Sequence, residues 1–290
     1  MRAEGGPARR VGLIGHPLGH SLSPAMQDAA FAAADLAHRY ELLDVPADGL
    51  PALLRLMRTG GWLGSNVTVP HKTAVVPLLD ELRGDAADLG AVNTIQVEGD
   101  RLIGYNTDTF GFEDSLAAQS ALRRGAGQAV VLGAGGSARA VVWTLLRHGW
   151  AVCLLARRPA QAVALAAALP HADGITTGAL DAPTLAACLP GAQLLVNTTP
   201  VGMWPHPAAD PLPPEVALSP DLFVYDLIYR PYETRLLARA AVAGCRTSNG
   251  LAMLVAQGAA AYTIWTGLDA PRRLMRTAAE QALLALGDSA

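Results

Sequence analysis

The sequence predicts an α/β protein of two domains, and three observations carry that expectation. Its 290 residues suffice for two cores of ordinary size. Short apolar runs that read as buried strands alternate with stretches of helical character in both halves. A second such series starts mid-chain, where the run Ala129 to Leu132 ends in Gly133-Ala134-Gly135-Gly136.

Taken in order, Val11 to Gly15 reads as a buried strand ending in glycine. Ser23-Pro24 opens a helix to about Ala34, with proline suited to a first helical turn. Tyr40 to Val45 is expected as a strand, Leu50 to Arg58 as a helix, and Gly64 to Val69 as a strand with Asn66 and Thr68 at its polar tip. Val92 to Val97 and Leu102 to Tyr105, joined across Glu98-Gly99-Asp100-Arg101, read as a hairpin and make the first sheet depart from an all-parallel one. A helix from Thr107 to about Leu122 leads to a polar hinge, Arg123 to Gly127. Beyond it come the strand Ala129 to Leu132, a helix ending at His148, and the strand Ala151 to Leu155. Leu194 to Val196 and Phe223 to Tyr225 are further strands with helices between, and 205–220 is a proline-rich surface loop. The closing helices, from about Leu251 and Pro271, are expected to pack back on the first half.

Charge and composition narrow the function classes. Twenty-two basic against 25 acidic side chains give −3, which offers no electrostatic grip on nucleic acid or an anionic membrane. Apolar stretches are broken before the ~20 residues that a membrane span requires. The most apolar, Leu251 to Trp265, contains Gln257, Tyr262 and Thr263 and reads as a buried helix. Residues 1–9 lack the apolar core of a signal peptide and read as a floppy lead-in. Cys153, Cys188 and Cys245 are odd in number, widely spaced and apolar in context, so three reduced core thiols of a cytoplasmic protein are expected.

One lysine stands among the 22 basic side chains: Lys72, within Asn66-Val67-Thr68-Val69-Pro70-His71-Lys72. Both cations pair with carboxylates, but an ammonium exchanges its proton where a guanidinium stays charged. Lys72 is therefore a candidate proton donor and acceptor, with an ordinary surface lysine as the bland alternative.

A strand, then Gly133-Ala134-Gly135-Gly136-Ser137-Ala138, then a helix is the setting in which a dinucleotide pyrophosphate rests on backbone amides. An NAD site wants an acid at the end of the next strand for the ribose hydroxyls. Here Ala156-Arg157-Arg158 stands instead, and two guanidinium groups fit a 2′-phosphate, so NADP is expected over NAD. The same feature counts against S-adenosylmethionine.

Together the motifs resemble the shikimate dehydrogenase family: Gly15-His16-Pro17-Leu18-Gly19-His20-Ser21-Leu22-Ser23-Pro24, Asn66 to Lys72, Gly90-Ala91-Val92-Asn93-Thr94, Asn106-Thr107-Asp108, Gly133 to Arg139, Asn197 to Met203 and Gly250 to Gln257. The resemblance runs in order over nearly the whole chain. It implies a Rossmann-type NADP-binding domain over 107–249 and a substrate-binding and catalytic α/β domain over 1–106 with 250–290. The implied reaction is NADPH-dependent reduction of 3-dehydroshikimate to shikimate, reversibly, on the route to chorismate and aromatic amino acids. The small-molecule substrate is then the partner, with a homodimer one candidate assembly, the sequence leaving the oligomeric state open, and neither nucleic acid nor membrane involved.

By position, Ser21 and Ser23 would hold the substrate carboxylate. Asn66, Lys72, Asn93, Asp108 and Gln257 would surround the ring hydroxyls, with Thr68 and Tyr229 near. Gly133, Ala134, Gly135, Gly136, Ser137 and Ala138 would take the pyrophosphate, Arg157 and Arg158 the 2′-phosphate, and Thr199, Leu227 and Gly250 the nicotinamide side. Lys72 and Asp108 form the implied catalytic dyad. A polyhydroxylated acid does call for many short polar groups, since each hydroxyl left unpaired in a closed site costs about 1–3 kcal/mol. Taken alone, Asp108, Ser21 and Ser23 can also be read as helix caps, which is the lesser reading of each. The family pattern usually has Asn-Arg-Thr with a further arginine three residues on; here Ala156 and Gln161 occupy the first and last of those places. His16 and His20 have the spacing of a metal pair but lack a third ligand, so no metal is expected.

Two other readings remain: a quinate or aminoshikimate dehydrogenase of the same build, and a non-catalytic NADP-binding sensor.

Overall fold

The computed structural model describes residues 8–18, 21–119 and 127–287. His20, most of the expected lead-in and the hinge residues 123–126 lie outside the described residues. In chain order the elements are β1 (Arg10–Gly15), α1 (Ser23–Ala33), β2 (Arg39–Asp44), α2 (Leu50–Arg58), β3 (Trp62–Val67), β4 (Glu81–Leu82), α3 (Ala86–Leu89), β5 (Thr94–Glu98), β6 (Arg101–Tyr105) and α4 (Asp108–Ala118). There follow β7 (Gln128–Leu132), α5 (Gly136–Arg147), β8 (Ala151–Ala156), α6 (Pro159–Ala167), β9 (Ile175–Ala179), α7 (Ala182–Cys188), β10 (Leu194–Asn197), β11 (Phe223–Asp226), α8 (Arg235–Val242), β12 (Arg246–Ser248), α9 (Leu251–Thr266) and α10 (Arg272–Ala285). Among the described residues one compact unit takes the chain to Gly111 and again from Val255 to Leu286; the other takes Phe112 to Leu254. The unit boundaries thus fall inside α4 and α9.

The first unit is built on a mixed sheet in the order β2-β1-β3-β5-β6-β4. β1 lies parallel to β2 and β3, while β5 runs antiparallel to both β3 and β6. The β5–β6 hairpin turns on Gly99, whose φ of +66° suits a residue without a Cβ. Every residue of β3 is buried, as expected of a strand covered on both faces. It starts and ends two residues earlier than expected, and past Val67 the chain stays beside β1, the Thr68 amide donating to the Ile14 carbonyl and the Val69 carbonyl accepting from the His16 amide. α10 carries Met275, Ala279 and Leu283 along one buried stripe and packs on α1.

Gly64 is the tightest point of this unit. A Cβ there would lie 2.2 Å from the Ile95 carbonyl oxygen and 2.3 Å from Trp265 Nε1, which itself donates to that carbonyl at 2.9 Å. Gly64→Ala must displace α9 or part β3 from β5, so thermal or denaturant unfolding is expected to show a loss of ~1–3 kcal/mol.

The second unit holds a fully parallel sheet in the order β12-β11-β10-β7-β8-β9. The order reverses between β7 and β10, and ligands of doubly wound sheets bind outside the carboxyl ends of the strands at such a point. One face packs Val130, Leu132, Leu155, Leu195 and Val224 against Leu185 of α7 and Leu236 of α8.

The expectation of three reduced thiols is corrected here. Cys153 and Cys188 form a disulfide, and Cys245 alone is free among the described cysteines. Cys153 faces the same core as α7, so the end of that helix brings Cys188 onto it. A separation of 35 residues in apolar surroundings carries no sequence signal for such a pair.

Candidate active site

The first unit gathers five of the expected substrate residues into one hydrogen-bonded network. Lys72 Nζ donates to Asp108 Oδ2 at 2.6 Å, and Asn93 Nδ2 donates to Asp108 Oδ1 at 2.8 Å. Both carboxylate oxygens are thus engaged, and Asp108 serves the lysine instead of capping its own helix. Lys72 is 9% exposed and Asp108 5%, so the ion pair sits in low dielectric, where separating its members is costly. Asn93 Nδ2 also reaches Gln257 Oε1 at 3.3 Å, while its Oδ1 accepts from the Thr107 amide at 2.7 Å. Asn66 Nδ2 donates to the Asn93 carbonyl and to Thr94 Oγ1.

Local backbone structure explains how sequence-distant groups meet. The Thr68 carbonyl accepts from the His71 amide and the Lys72 carbonyl from the Val92 amide at 2.7 Å, which pins the lysine loop one residue from Asn93. His71 Nε2 bonds the Val45 carbonyl at 2.7 Å, tying the same loop to the end of β2. Asn106 Oδ1 accepts from the Asp108 amide and its Nδ2 donates to the Ala91 carbonyl, which fixes the start of α4. Ser21 and Ser23 stand at the start of α1, Ser21 Oγ accepting from the Ser23 amide at 3.2 Å. No side chain caps α1. These serines and Thr68 lie outside the Lys72 network.

The second unit carries the expected cofactor residues. Gly133 leaves β7 with φ +104°, and a Cβ there would lie 2.7 Å from Thr198 Oγ1, so glycine is required by both backbone and space. Gly135 has nothing within 4 Å of where its Cβ would be, and the first turn of α5 that follows has no side-chain cap. An open glycine before an uncapped helix start suits the pyrophosphate of a dinucleotide. Arg157 and Arg158 project from the end of β8 as exposed side chains. The donor set therefore fits NADP: uncapped amides for the bridging phosphates and two guanidinium groups for a further one. Thr199 Oγ1 bonds Asn197 Oδ1, Leu227 follows β11, and a Cβ on Gly250 would lie 1.9 Å from the Leu227 carbonyl oxygen. Tyr229 is half-buried on the segment after Leu227. Among the described residues no group of three His, Cys, Asp or Glu is placed to hold a metal ion. No described helix is long and apolar enough to cross a membrane.

Residues 13–95 match the shikimate dehydrogenase substrate binding domain and residues 250–280 the shikimate 5′-dehydrogenase C-terminal domain. Shikimate dehydrogenase (NADP(+)) of Symbiobacterium thermophilum is 46% identical over 282 residues, covering 96% of each chain. The chain belongs to the shikimate dehydrogenase family.

Among solved shikimate dehydrogenases, that of Thermus thermophilus in complex with NADP(H) and shikimate is 40% identical with a TM-score of 0.84. The match covers 95% of this chain and all of that one. A quinate dehydrogenase from Corynebacterium glutamicum in complex with NAD shares the build at 33% identity and TM-score 0.83, covering 93% of this chain and 98% of that one.

Three residues of this shikimate dehydrogenase family member escape a sequence reading. Tyr40 OH donates to Asn66 Oδ1 at 2.8 Å and so orients that amide; nothing around Tyr40 distinguishes it from any strand tyrosine. Asn197 and Asp226 end β10 and β11, both fully buried and joined at 3.0 Å. Asn197 stood within a quoted motif, and Asp226 directly preceded one expected residue, but the pairing needs the sheet.

Burial pushes the Asp226 carboxyl up to about 6, against the pull of hydrogen bonds from Thr234, Ile228 and Asn197, with the charge of Asp210 adding to the rise. A carboxyl raised in the folded state binds its proton more tightly there than in the unfolded chain. Its stabilising contribution is full below about 3.8 and is lost as pH rises through about 6. Asp226→Asn, which does not titrate, is expected to gain stability relative to wild type across that window; denaturant melts at its two ends measure the difference.

Proposed function

We propose that this chain is an NADP-dependent oxidoreductase that reduces 3-dehydroshikimate to shikimate reversibly. The buried Lys72–Asp108 pair, held by Asn93 among amide side chains, is the observation that carries the reading. When bound, NADPH would supply the hydride that the ketone carbon takes up. Lys72 Nζ gives the carbonyl oxygen the proton that completes the alcohol and takes it back in the oxidation. Asp108 holds the ammonium in place through the 2.6 Å hydrogen bond. Developing negative charge on the substrate oxygen is stabilised by the same, largely buried ammonium. Ser21 and Ser23 hydrogen-bond the substrate carboxylate, while Asn66, Asn93, Asp108 and Gln257 receive the ring hydroxyls with Thr68 and Tyr229. Gly133 to Ala138 take the pyrophosphate, Arg157 and Arg158 the 2′-phosphate, and Thr199, Leu227 and Gly250 line the nicotinamide side.

The reaction belongs to the shikimate pathway of aromatic amino-acid biosynthesis. Within this reading the enzyme is cytoplasmic, with a homodimer as its candidate assembly; the Cys153–Cys188 bond is the observation that stands against a reducing compartment. Purified protein is expected to reduce NADP when shikimate is the only other substrate added, followed by absorbance. Faster turnover of quinate with NAD would overturn the substrate assignment. Tight NADP binding with no turnover of either acid would make the chain a sensor.

A further inference from the structure

The nicotinamide side of the second unit consists of three separate backbone segments: the turn after β10 with Thr199, the turn after β11 with Leu227, and the chain at Gly250. One buried side chain adds to the backbone bonds that join them. Asp226 Oδ1 accepts from Asn197 Nδ2 at 3.0 Å and from the Ile228 amide at 3.1 Å. Asn197 Oδ1 in turn accepts from the Thr199 amide at 3.0 Å and from Thr199 Oγ1 at 2.7 Å. The Ile228 carbonyl accepts from the Gly250 amide at 3.0 Å. The second carboxylate oxygen, Oδ2, accepts from Thr234 Oγ1 at 2.7 Å, and Thr234 Oγ1 caps α8 by accepting from the Leu237 amide. Oδ1 therefore serves the three segments, whereas Oδ2 serves a helix start.

We propose that Asp226, acting through Asn197 and the Ile228 amide, is a positioning residue that sets the nicotinamide half of the NADP site, and that its Oδ1 is the atom responsible. This deepens the cofactor reading above and rests on it. Asp226 has no route to the reaction itself: it is fully buried and its oxygens are engaged. Its spacing from Thr199 through one amide side chain gives the Thr199 turn a fixed register on β11. The parallel backbones supply one link of their own, the Leu227 amide donating to the Asn197 carbonyl at 3.0 Å; the side-chain bonds carry the connection on to Thr199 and to the Ile228 amide.

Two probes separate the halves of the cofactor: NADP itself, and adenosine 2′,5′-bisphosphate, which carries the 2′-phosphate and lacks nicotinamide. Calorimetric titration of Asn197→Ala and Asp226→Ala is expected to show NADP affinity reduced about tenfold or more, with the bisphosphate bound as by wild type. Asp226→Asn keeps an oxygen for Asn197 and Ile228 while its amide donates to Thr234, so it is expected to restore NADP affinity to within about threefold of wild type. Equal weakening of both probes in Asn197→Ala would show a merely structural role and overturn the proposal, as would wild-type NADP binding in that variant. Asn197→Ala decides the matter even where Asp226→Ala fails to fold. Wild-type protein that binds neither probe overturns the cofactor reading instead, and this inference with it.

Discussion

Lys72→Ala is expected to lower kcat for shikimate oxidation by roughly 10²–10⁴-fold, the span of a lost general acid–base catalyst. Lys72→Arg is expected to fall nearly as far. Arginine keeps a positive charge beside Asp108, so an electrostatic role alone would leave the arginine variant partly active. Proton exchange is the property that guanidinium lacks. The arginine variant also addresses folding. Removing the ammonium leaves Asp108 buried without its cation, a change that costs about 3–5 kcal/mol where such pairs are broken. Lys72→Ala must therefore be compared with wild type below its unfolding transition, with adenosine 2′,5′-bisphosphate binding as a control for the second unit. Full turnover in both variants would remove Lys72 from the mechanism.

The second large effect concerns the cofactor. Arg157→Ala/Arg158→Ala is expected to abolish most of the preference for NADP over NAD while leaving NAD kinetics unchanged. A hydrogen bond to a charged group contributes about 1.5–3 kcal/mol. Exposure of both guanidinium groups brings the effect toward the lower end, so each arginine corresponds to roughly tenfold and the pair to about a hundredfold in kcat/KM for NADP. The single variants are informative because Gln161 stands where the family pattern has another arginine. With Arg158 taking over that contact, Arg158→Ala should cost about as much as Arg157→Ala. An effect confined to Arg157 would leave Arg158 as a solvated turn residue. Rising ionic strength should weaken NADP binding in wild type and leave the double variant nearly insensitive.

Much of the candidate site was legible in the sequence because its chemistry resides in residue type at loop positions. A lone lysine, a glycine turn after an apolar run and paired arginines at a strand end each state a physical requirement without coordinates. The elements around them were legible where burial was high. β1, β7 and β8 are largely apolar runs, β3 is buried throughout although it carries Ser65 and Asn66, and α2 was read to the residue. Edge strands were not. β4 has two residues, β12 has three with Arg246 and Thr247 exposed, and β9 exposes Thr176 and Thr177. Such segments owe their conformation to a neighbouring strand and not to their own pattern. The same holds for side-chain partnerships. Tyr40 with Asn66, Asn197 with Asp226 and Cys153 with Cys188 depend on register between distant segments, which a single sequence does not display.

The solitary, shielded amine of Lys72 has a practical consequence. Reductive methylation with isotopically enriched formaldehyde would place side-chain label at one position only, apart from any chain-terminal amine. A dimethylammonium resonance from that nitrogen would be a spectroscopic reporter seated beside the carboxylate, free of overlap from other side chains. Its rate of labelling would record how often the pocket admits a reagent, and shikimate should slow it.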